Sequence, residues 1–354
     1  MREMRGSLWF YRLYDVAQDI DLAAAEKILA LYKPVSRMRL SKVRPRALEI
    51  KNPPLTVELE GTEVALNGKT YRVAASARLY DFGVLSILFK LELPPDMSYE
   101  ELRSLAVAAG EASSLSPWFA ACRDELIRQL KPALTGDGFT GFVEDFLIFF
   151  FQDWPCDWDP VPLLLGEEEP ISQAMRQEVL RNLFSYSDDQ IIITWDAAFI
   201  YDPSGSTDVA DLLEFANAQL LELRYYDSVL DRELAAMYDA LEEAGRGGYR
   251  RLRQYRNIMR RLMELMVEIT EVTGRIENAL KVTQDIFYVR IYTAALKIFR
   301  VEEWLESIDR KMQVVERNYS LLSDELITHR FMMIDIAIVV LIAFEIILWL
   351  FTLK

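Results

Sequence analysis

The sequence has few of the residues on which many enzymes depend. Its 354 residues include one histidine and two cysteines. The histidine, His329, lies next to a C-terminal apolar run, so a Ser-His-Asp triad, a Cys-His dyad or an HExxH zinc site would have no histidine inside a folded domain. We therefore predict that the protein is not an enzyme. Cys122 and Cys156 indicate no disulfide framework and suit a reducing compartment.

Motifs that cradle phosphate or bind metal are also missing from the sequence. There is no GxxxxGK[ST] loop and no GxGxxG after a predicted strand, so nucleotide-binding folds are not indicated. The stretch QDWPCDWDP gathers Asp153, Asp157 and Asp159, but a calcium loop needs a denser pattern of oxygen ligands with a glycine turn. A loop anchored by its tryptophans is the favoured interpretation. We predict neither a metal nor a cofactor.

Basic residues are outnumbered by acidic ones, which argues against general affinity for nucleic acids. The formal net charge is −15, so most of the surface would repel a phosphate backbone. The exception is GRGGYRRLRQYRNIMRRL, whose arginines form a candidate anion-binding site, here called the arginine cluster: Arg246, Arg250, Arg251, Arg253, Arg256, Arg260 and Arg261. Two interpretations remain open. The cluster binds phosphate, RNA or anionic lipid, or it pairs with the acidic stretch DRELAAMYDALEE as a solvated hairpin face.

The N-terminal part, residues 1–205, mixes strand-like and helical patterns. GSLWFYRLYDV and VAASARLYDFGVLSILFKLEL are rich in aromatic and β-branched residues, and Asn67-Gly68 is typical of a two-residue hairpin turn. SYEELRSLAVAAGEA and SPWFAACRDELIRQL show helical periodicity, whereas GFVEDFLIFFFQDW and DQIIITWDAAFIYD are each interpreted as one buried strand. We predict an α+β domain.

Residues 206–330 are predicted to form long helices, the first from Asp208 to about Glu243. The next helix has apolar residues at alternating spacings of four and three, which is a heptad pattern: Ile258, Leu262, Leu265, Ile269, Val272, Ile276 and Ala279. The last repeats the pattern, and its seam is Val301, Leu305, Ile308, Met312, Val315, Tyr319, Leu322 and Leu326. An antiparallel hairpin within one chain would bury the apolar residues of either seam, and so would self-association of two chains. A stalk beside a membrane favours a homo-oligomer.

The chain ends in an apolar run, residues 331–353. As an α-helix with a rise of about 1.5 Å per residue, the run would cover roughly 34 Å, and a bilayer core is about 30 Å thick. We predict one transmembrane helix here. Glu345 lies near the middle of the run, where an acid normally faces protein or a water-filled cavity, so we expect it to contact another helix.

The charges that flank this run predict its orientation. Arg317, His329 and Arg330 precede it and only Lys354 follows it, so the positive-inside bias keeps the N-terminal domain cytoplasmic, or facing the matrix in a mitochondrion. The first residues of the chain lack the apolar core of a signal peptide. The prediction is a single-pass protein of the inner or cytoplasmic membrane.

Three stretches of the chain carry a resemblance to a known family: YDFGVLSILF, EFANAQLLELRYYDSVLDREL, and the helical run from QDIFYVRIYTAALKIF to VVLIAFEIIL. In this order, with the His329-Arg330 doublet and an acid in the terminal run, the chain resembles a distant member of the required-for-meiotic-nuclear-division family. It departs at residues 215–219, which read FANAQ where the family usually has Ser-His before Ala-Gln. The resemblance implies an oligomeric, non-enzymatic inner-membrane protein whose mitochondrial relatives support organellar translation. It supplies no catalytic residues.

Together these features predict a tail-anchored, oligomeric scaffold protein. Its parts are an α+β domain at residues 1–205, a coiled-coil stalk at 206–330 and a transmembrane anchor at 331–353. The alternative function is a membrane-tethered regulator that binds RNA, ribosomes or anionic lipid through the arginine cluster. Neither hypothesis identifies a protein partner other than a second copy of the chain.

Overall fold

Strands and helices alternate up to about residue 201, and long helices follow. The computed structural model describes residues 4–38, 40, 52–110, 113–136, 138–244, 249–281, 286–318 and 338–343. The strands are β1 (Arg5–Asp15), β2 (Asp19–Ile20), β3 (Val35–Arg37), β4 (Leu55–Leu66), β5 (Lys69–Leu79), β6 (Val84–Glu92), β7 (Leu134–Thr135), β8 (Val143–Asp153), β9 (Leu183–Phe184), β10 (Gln190–Ile193) and β11 (Ala197–Tyr201). The helices are α1 (Leu22–Leu29), α2 (Tyr99–Gly110), α3 (Ser116–Leu130), α4 (Val161–Leu165), α5 (Gln173–Leu180), α6 (Asp208–Ala244), α7 (Tyr249–Lys281) and α8 (Ile286–Ile298). Residues 301–318 and 338–343 are also helical.

Among the described residues, nine strands form one mixed sheet in the order β3-β4-β5-β6-β1-β8-β11-β10-β9. Every neighbouring pair is antiparallel except β8 and β11, which run parallel. β1 lies at the centre because β6 and β8 pair with it along nearly its whole length. β2 and β7 form a separate antiparallel pair.

The hairpin predicted at Asn67-Gly68 is confirmed. Leu66 pairs with Lys69, and the two turn residues have φ angles of 48° and 71°. A type I′ turn needs positive φ at both central residues, which asparagine and glycine adopt most easily. The local turn chemistry therefore sets the register of β4 against β5.

The prediction of one strand over DQIIITWDAAFIYD is wrong, because the stretch forms two antiparallel strands, β10 and β11. Thr194 lies at the turn between them. Its backbone N–H donates to the carbonyl of Ala197 at 2.8 Å, and its hydroxyl oxygen accepts from the Ala197 N–H at 3.1 Å. A short polar side chain that bonds the backbone nearby reverses the chain here, which the apolar residues on either side concealed.

Helices cover both faces of the sheet. One core cluster joins Leu8, Phe10 and Tyr14 of β1 with apolar side chains of α1 to α5. The opposite face carries Tyr11 of β1 and Phe146 of β8; Phe146 packs against Phe299, which follows α8, and Arg78 of β5 pairs with Glu214 of α6. Because both faces are buried, β1 is an almost continuous apolar and aromatic run instead of an alternating one.

Contacts divide the chain into two units, each described by itself. Unit 1 comprises Met1–Tyr226 and Glu271–Leu305, and it contains the sheet, α1 to α5, α8 and the first part of α6. Unit 2 comprises Asp227–Thr270 and Glu306–Lys354. Within unit 2, the ammonium of Lys311 lies 2.8 Å from a carboxylate oxygen of Asp227 and 2.6 Å from one of Asp231. These ion pairs hold the 301–318 helix to the second part of α6.

The predicted transmembrane helix is wrong. Over the described ranges, no helix is long and apolar enough to cross a membrane. α8 is rich in apolar residues, but its 13 residues cover only about 20 Å, and the longer α6 and α7 carry charged side chains along their length. Only residues 338–343 of the predicted span are described, and Glu345 lies outside the described residues. Three predictions depend on this helix and are wrong for the same reason: the membrane as a partner, the tail anchor, and the single-pass localisation in an inner or cytoplasmic membrane.

Candidate functional site

A groove of about 450 Å³ opens on the face of the sheet that carries α2, α3 and α4. Its floor comes from β1 and β8, where Phe10 lies opposite Leu147 and Arg12 lies opposite Asp145. Directly opposed residues of an antiparallel pair point to the same face of a sheet, so these four side chains share the groove. The volume falls within the range of about 300 to 1,000 Å³ that is usual for small-molecule sites.

Arg12 forms the polar end of the groove. Its Nε donates to Asp145 Oδ1 at 2.5 Å and its Nη2 donates to Oδ2 at 3.1 Å, which is a forked ion pair. Its Nη1 donates to Ser116 Oγ at 3.0 Å, and its guanidinium carbon lies 4.8 Å from the centre of the Phe119 ring. Burial lowers the pKa of Arg12, but the bond to Asp145 and the charge of Asp145 raise it more. Arg12 is therefore a charged group held in one orientation by β8 and α3.

The rest of the lining is mainly apolar, and α2 explains why the space is open. Ala106 and Ala109 are three residues apart on one face of α2, and Gly110 follows them; all three line the groove. A Cβ atom added at Gly110 would meet no other atom within 4 Å. Leu163, Leu164 and Leu165 of α4 complete the apolar part of the lining. The small residues at the end of α2 thus leave a space that larger side chains would fill.

A second carboxylate, Asp196, lines the groove from the turn between β10 and β11. Its backbone carbonyl accepts a hydrogen bond from the N–H of Leu147 at 3.0 Å, and its Oδ1 accepts from the hydroxyl of Thr194 at 3.1 Å. The parallel pairing of β8 with β11 brings this turn beside the floor of the groove. The described lining therefore contains two carboxylates, Asp145 and Asp196, and one guanidinium, Arg12.

Comparison with known proteins assigns the part of the chain that forms this groove to a family. Residues 5–208 match the family described as "Uncharacterized protein MJ0711, N-terminal domain". The chain belongs to this family. The matched range contains β1 to β11, α1 to α5 and every residue that lines the groove, and α6 begins at its last residue.

One relative is "Uncharacterized protein MJ0711" of Methanocaldococcus jannaschii, which is 27% identical to this chain over 220 residues. The alignment covers 58% of this chain and 66% of that protein. No solved structure shows a significant match to the chain. The name of the relative assigns no ligand or reaction. Residues 5–208 are here called the MJ0711 domain.

On the opposite face of the MJ0711 domain, a buried charge cluster attaches α6 to the sheet. Arg78 of β5 donates to Asp211 at 2.9 Å and also forms an ion pair with Glu214, both on α6. The side chains of Arg78, Asp211 and Glu214 are 15%, 9% and 3% exposed. Burial raises the pKa of Glu214, and it raises the pKa of the neighbouring Tyr11 hydroxyl. This cluster has the geometry of a structural contact.

Sequence reasoning missed two groups of side chains: the Arg12–Asp145 pair of the groove and the cluster of Arg78, Asp211 and Glu214. Arg12 and Asp145 are 133 residues apart, as are Arg78 and Asp211, and no local pattern relates such residues. One signal was available for the second cluster, because Asp211 and Glu214 lie three residues apart and every other residue in the range 209–216 is apolar. Two acids on a helix face that must be buried require a buried cation as partner.

The arginine cluster lies outside the MJ0711 domain. Arg260 and Arg261 are exposed on α7 in unit 2. Arg250, Arg251, Arg253 and Arg256 also belong to α7, and Arg246 lies outside the described residues. Anion binding by these arginines stays a prediction.

The described residues of the predicted oligomer seam are buried or partly buried. Val301, Ile308 and Val315 are 1%, 0% and 0% exposed within the single chain, and Leu305 and Met312 are partly buried. Tyr319, Leu322 and Leu326 lie outside the described residues, as does Glu345. Of the described seam residues, Val301 and Leu305 belong to unit 1. Ile308, Met312 and Val315 belong to unit 2. A homo-oligomer built on this seam stays a prediction.

The described parts of the chain contain no group of three or more His, Cys, Asp or Glu placed to hold a metal ion. Burial raises the pKa of the Cys122 thiol, which makes it less reactive. In the stretch QDWPCDWDP, the rings of Trp154 and Trp158 pack edge to face at 5.5 Å, and Asp159 pairs with Arg176 at 2.5 Å. The predicted tryptophan-anchored loop is confirmed.

Proposed function

We propose that the protein binds a small organic ligand in the groove of its MJ0711 domain and acts through binding, without catalysing a reaction. The observation that carries this proposal is the groove, which combines an apolar lining with one polar end. Arg12 is held there by Asp145 and Ser116, so the polar end is formed before any ligand arrives. A preformed apolar site with a few fixed polar groups is the usual form of a small-molecule site.

A neutral probe tests this proposal. We expect phenethyl alcohol, one aromatic ring with a short hydroxyl-bearing arm, to bind the full chain with a dissociation constant of about 1 mM. Saturation-transfer NMR detects binding in this range. Gly110→Leu should weaken binding at least tenfold, because the new side chain occupies open space at the groove.

A matched control is Gly274→Leu on α7, where an added Cβ also meets nothing within 4 Å and which does not line the groove. This variant should bind as the wild type does. Absence of binding to the wild type, or equal binding to both leucine variants, would contradict the proposal.

A second candidate function is an oligomeric scaffold that assembles through unit 2. Met263 and Val267 lie four residues apart on α7 and are 38% and 69% exposed. Two large apolar side chains exposed on one helix face favour contact with another protein surface, and a second copy of the chain is the simplest partner. The support of organellar translation that the required-for-meiotic-nuclear-division resemblance implies belongs to this candidate and stays a prediction.

Light scattering tests the scaffold candidate. The wild-type chain should have the mass of an oligomer, and Val267→Lys should lower that mass. Asn257→Lys is the control, since it introduces the same residue at an exposed position of α7 that lies ten residues before Val267. A wild-type chain that scatters as a monomer, or an unchanged mass for Val267→Lys, would refute this candidate.

A further inference from the structure

We infer that the ligand of the groove carries a cationic head, such as a primary ammonium group, on an apolar body. This inference rests on the function proposed above and specifies the chemical class of its ligand. It follows from which hydrogen-bonding groups at the polar end are already used and which remain open.

The protein uses three of the five N–H donors of Arg12. Nε and Nη2 donate to Asp145, and Nη1 donates to Ser116. The carboxylate of Asp145 has about four lone-pair sites and Arg12 takes two of them. The Asp145 side chain is 60% exposed, so its remaining sites are accessible to a ligand. Arg12 keeps two open donors, whereas Asp145 and Asp196 together keep about five open acceptor sites, so a ligand that donates hydrogen bonds fits this end better than one that accepts them.

The net charge of the groove lining also favours a cationic ligand. Asp145 neutralises Arg12, and Asp196 adds a second carboxylate whose described partner is the neutral hydroxyl of Thr194. An anionic ligand would meet this surplus negative charge. A cationic ligand would be attracted by it.

The helix termini at the groove do not reverse this balance. α2 ends at Gly110 and the five-residue α4 ends at Leu165, each with the negative end of its dipole, and α3 begins at Ser116 with the positive end of its dipole. The partial charges of α2 and α3 are of similar size and opposite sign, so they largely cancel, and the short α4 adds little. The side chains therefore decide which charge is favoured.

The apolar lining indicates the chemistry of the ligand beyond its charged head. Ala106, Ala109 and the three leucines of α4 offer carbon surface and no ligands for a bare metal ion. A hydrophobic body buried against them is stabilised by about 25 cal/mol for each Å² removed from water. An organic amine satisfies both ends of the groove.

Three probes that share one ring and differ in head group test the inference: phenethylamine, phenethyl alcohol and 3-phenylpropionate. At pH 7 we expect the amine to bind about two- to fivefold more tightly than the alcohol, as for a partly exposed charge pair, and the carboxylate to bind most weakly. Asp196→Asn should remove most of the preference for the amine and leave the affinity for the alcohol unchanged. Asp157→Asn removes the same charge at an exposed position that does not line the groove, so it should keep the preference.

The outcomes separate the two proposals. Equal affinity for the three probes, all lost in Gly110→Leu, would overturn the cationic ligand and leave the binding function in place. Tighter binding of 3-phenylpropionate, or an unchanged preference for the amine in Asp196→Asn, would also overturn it. If no probe binds the wild-type chain, both proposals fail.

Discussion

Asp15, at the end of β1, is 1% exposed and is expected to make the stability of unit 1 depend on pH. Its Oδ2 accepts a hydrogen bond from the hydroxyl of Thr140 at 2.8 Å. Burial raises the pKa of Asp15 from 3.8 to about 6, and the bond from Thr140 lowers it only in part. The carboxylate is thus more costly to ionise in the folded chain than in the unfolded chain.

The direction of the pH effect follows from this difference. Because the pKa of Asp15 is higher in the folded state, the folded state binds the proton more tightly. The stability that this proton contributes is fully present below pH 3.8 and is lost as the pH rises through about 6. A pKa difference of about two corresponds to about 3 kcal/mol in the free energy of unfolding.

Asp15→Asn removes the ionisation and keeps an oxygen that accepts the bond from Thr140. We expect the variant and the wild type to be nearly equal in stability at about pH 4, and the variant to be more stable by up to about 3 kcal/mol at about pH 7.5. Urea unfolding followed by tryptophan fluorescence measures this difference. Six of the seven tryptophans lie in unit 1, so the signal reports mainly on that unit.

The control is Asp157→Asn, which removes a carboxylate from an exposed position and should follow the wild-type pH profile. If Asp15→Asn follows the wild-type profile as well, or is less stable than the wild type at the higher pH, the reasoning about burial of Asp15 is refuted.

Three further predictions concern other parts of the chain. Arg78→Met leaves two buried carboxylates unpaired and should lower the free energy of unfolding by about 3 to 5 kcal/mol in urea titrations, less at acid pH. Gly83→Ala should lower the melting temperature far more than Gly68→Ala in calorimetry, because a Cβ at Gly83 would lie 1.8 Å from a carbonyl oxygen, whereas one at Gly68 meets nothing within 4 Å. If the arginine cluster binds anions, replacing Arg260 and Arg261 with serine should reduce co-sedimentation with ribosomes and anionic vesicles; unchanged co-sedimentation would remove that alternative.

Local signals predicted much of the fold of unit 1. The hairpin at Asn67-Gly68, α2, α3, β8 and the start of α6 at Asp208 all depend on residues close in sequence, such as turn residues, caps and hydrophobic periodicity. The same reasoning failed where a local signal was ambiguous. The apolar stretch around Thr194 concealed a turn, and hydropathy alone predicted a membrane span, whereas no helix of the described residues is long and apolar enough to be one.

The candidate site was beyond sequence reasoning for a different physical reason. Arg12 and Asp145 share the groove because they lie opposite each other in the register of β1 and β8. The groove is open because α2 contributes only the small side chains of Ala106 and Ala109 to its lining. Register between distant strands is set by the whole sheet, and a small residue on a helix is equally consistent with close packing or with open space. Only the assembled fold distinguishes these cases.

Methyl NMR of the full chain with labelled alanine tests the binding function of the groove most directly. Ala106, Ala109 and Ala197 line the groove, whereas Ala210 and Ala218 are buried on α6 at the other face of the sheet. Titration with phenethylamine should move the first three methyl signals along saturable curves with one dissociation constant and leave the signals of α6 in place. Unmoved groove methyl signals, or shifts confined to α6, would contradict the account.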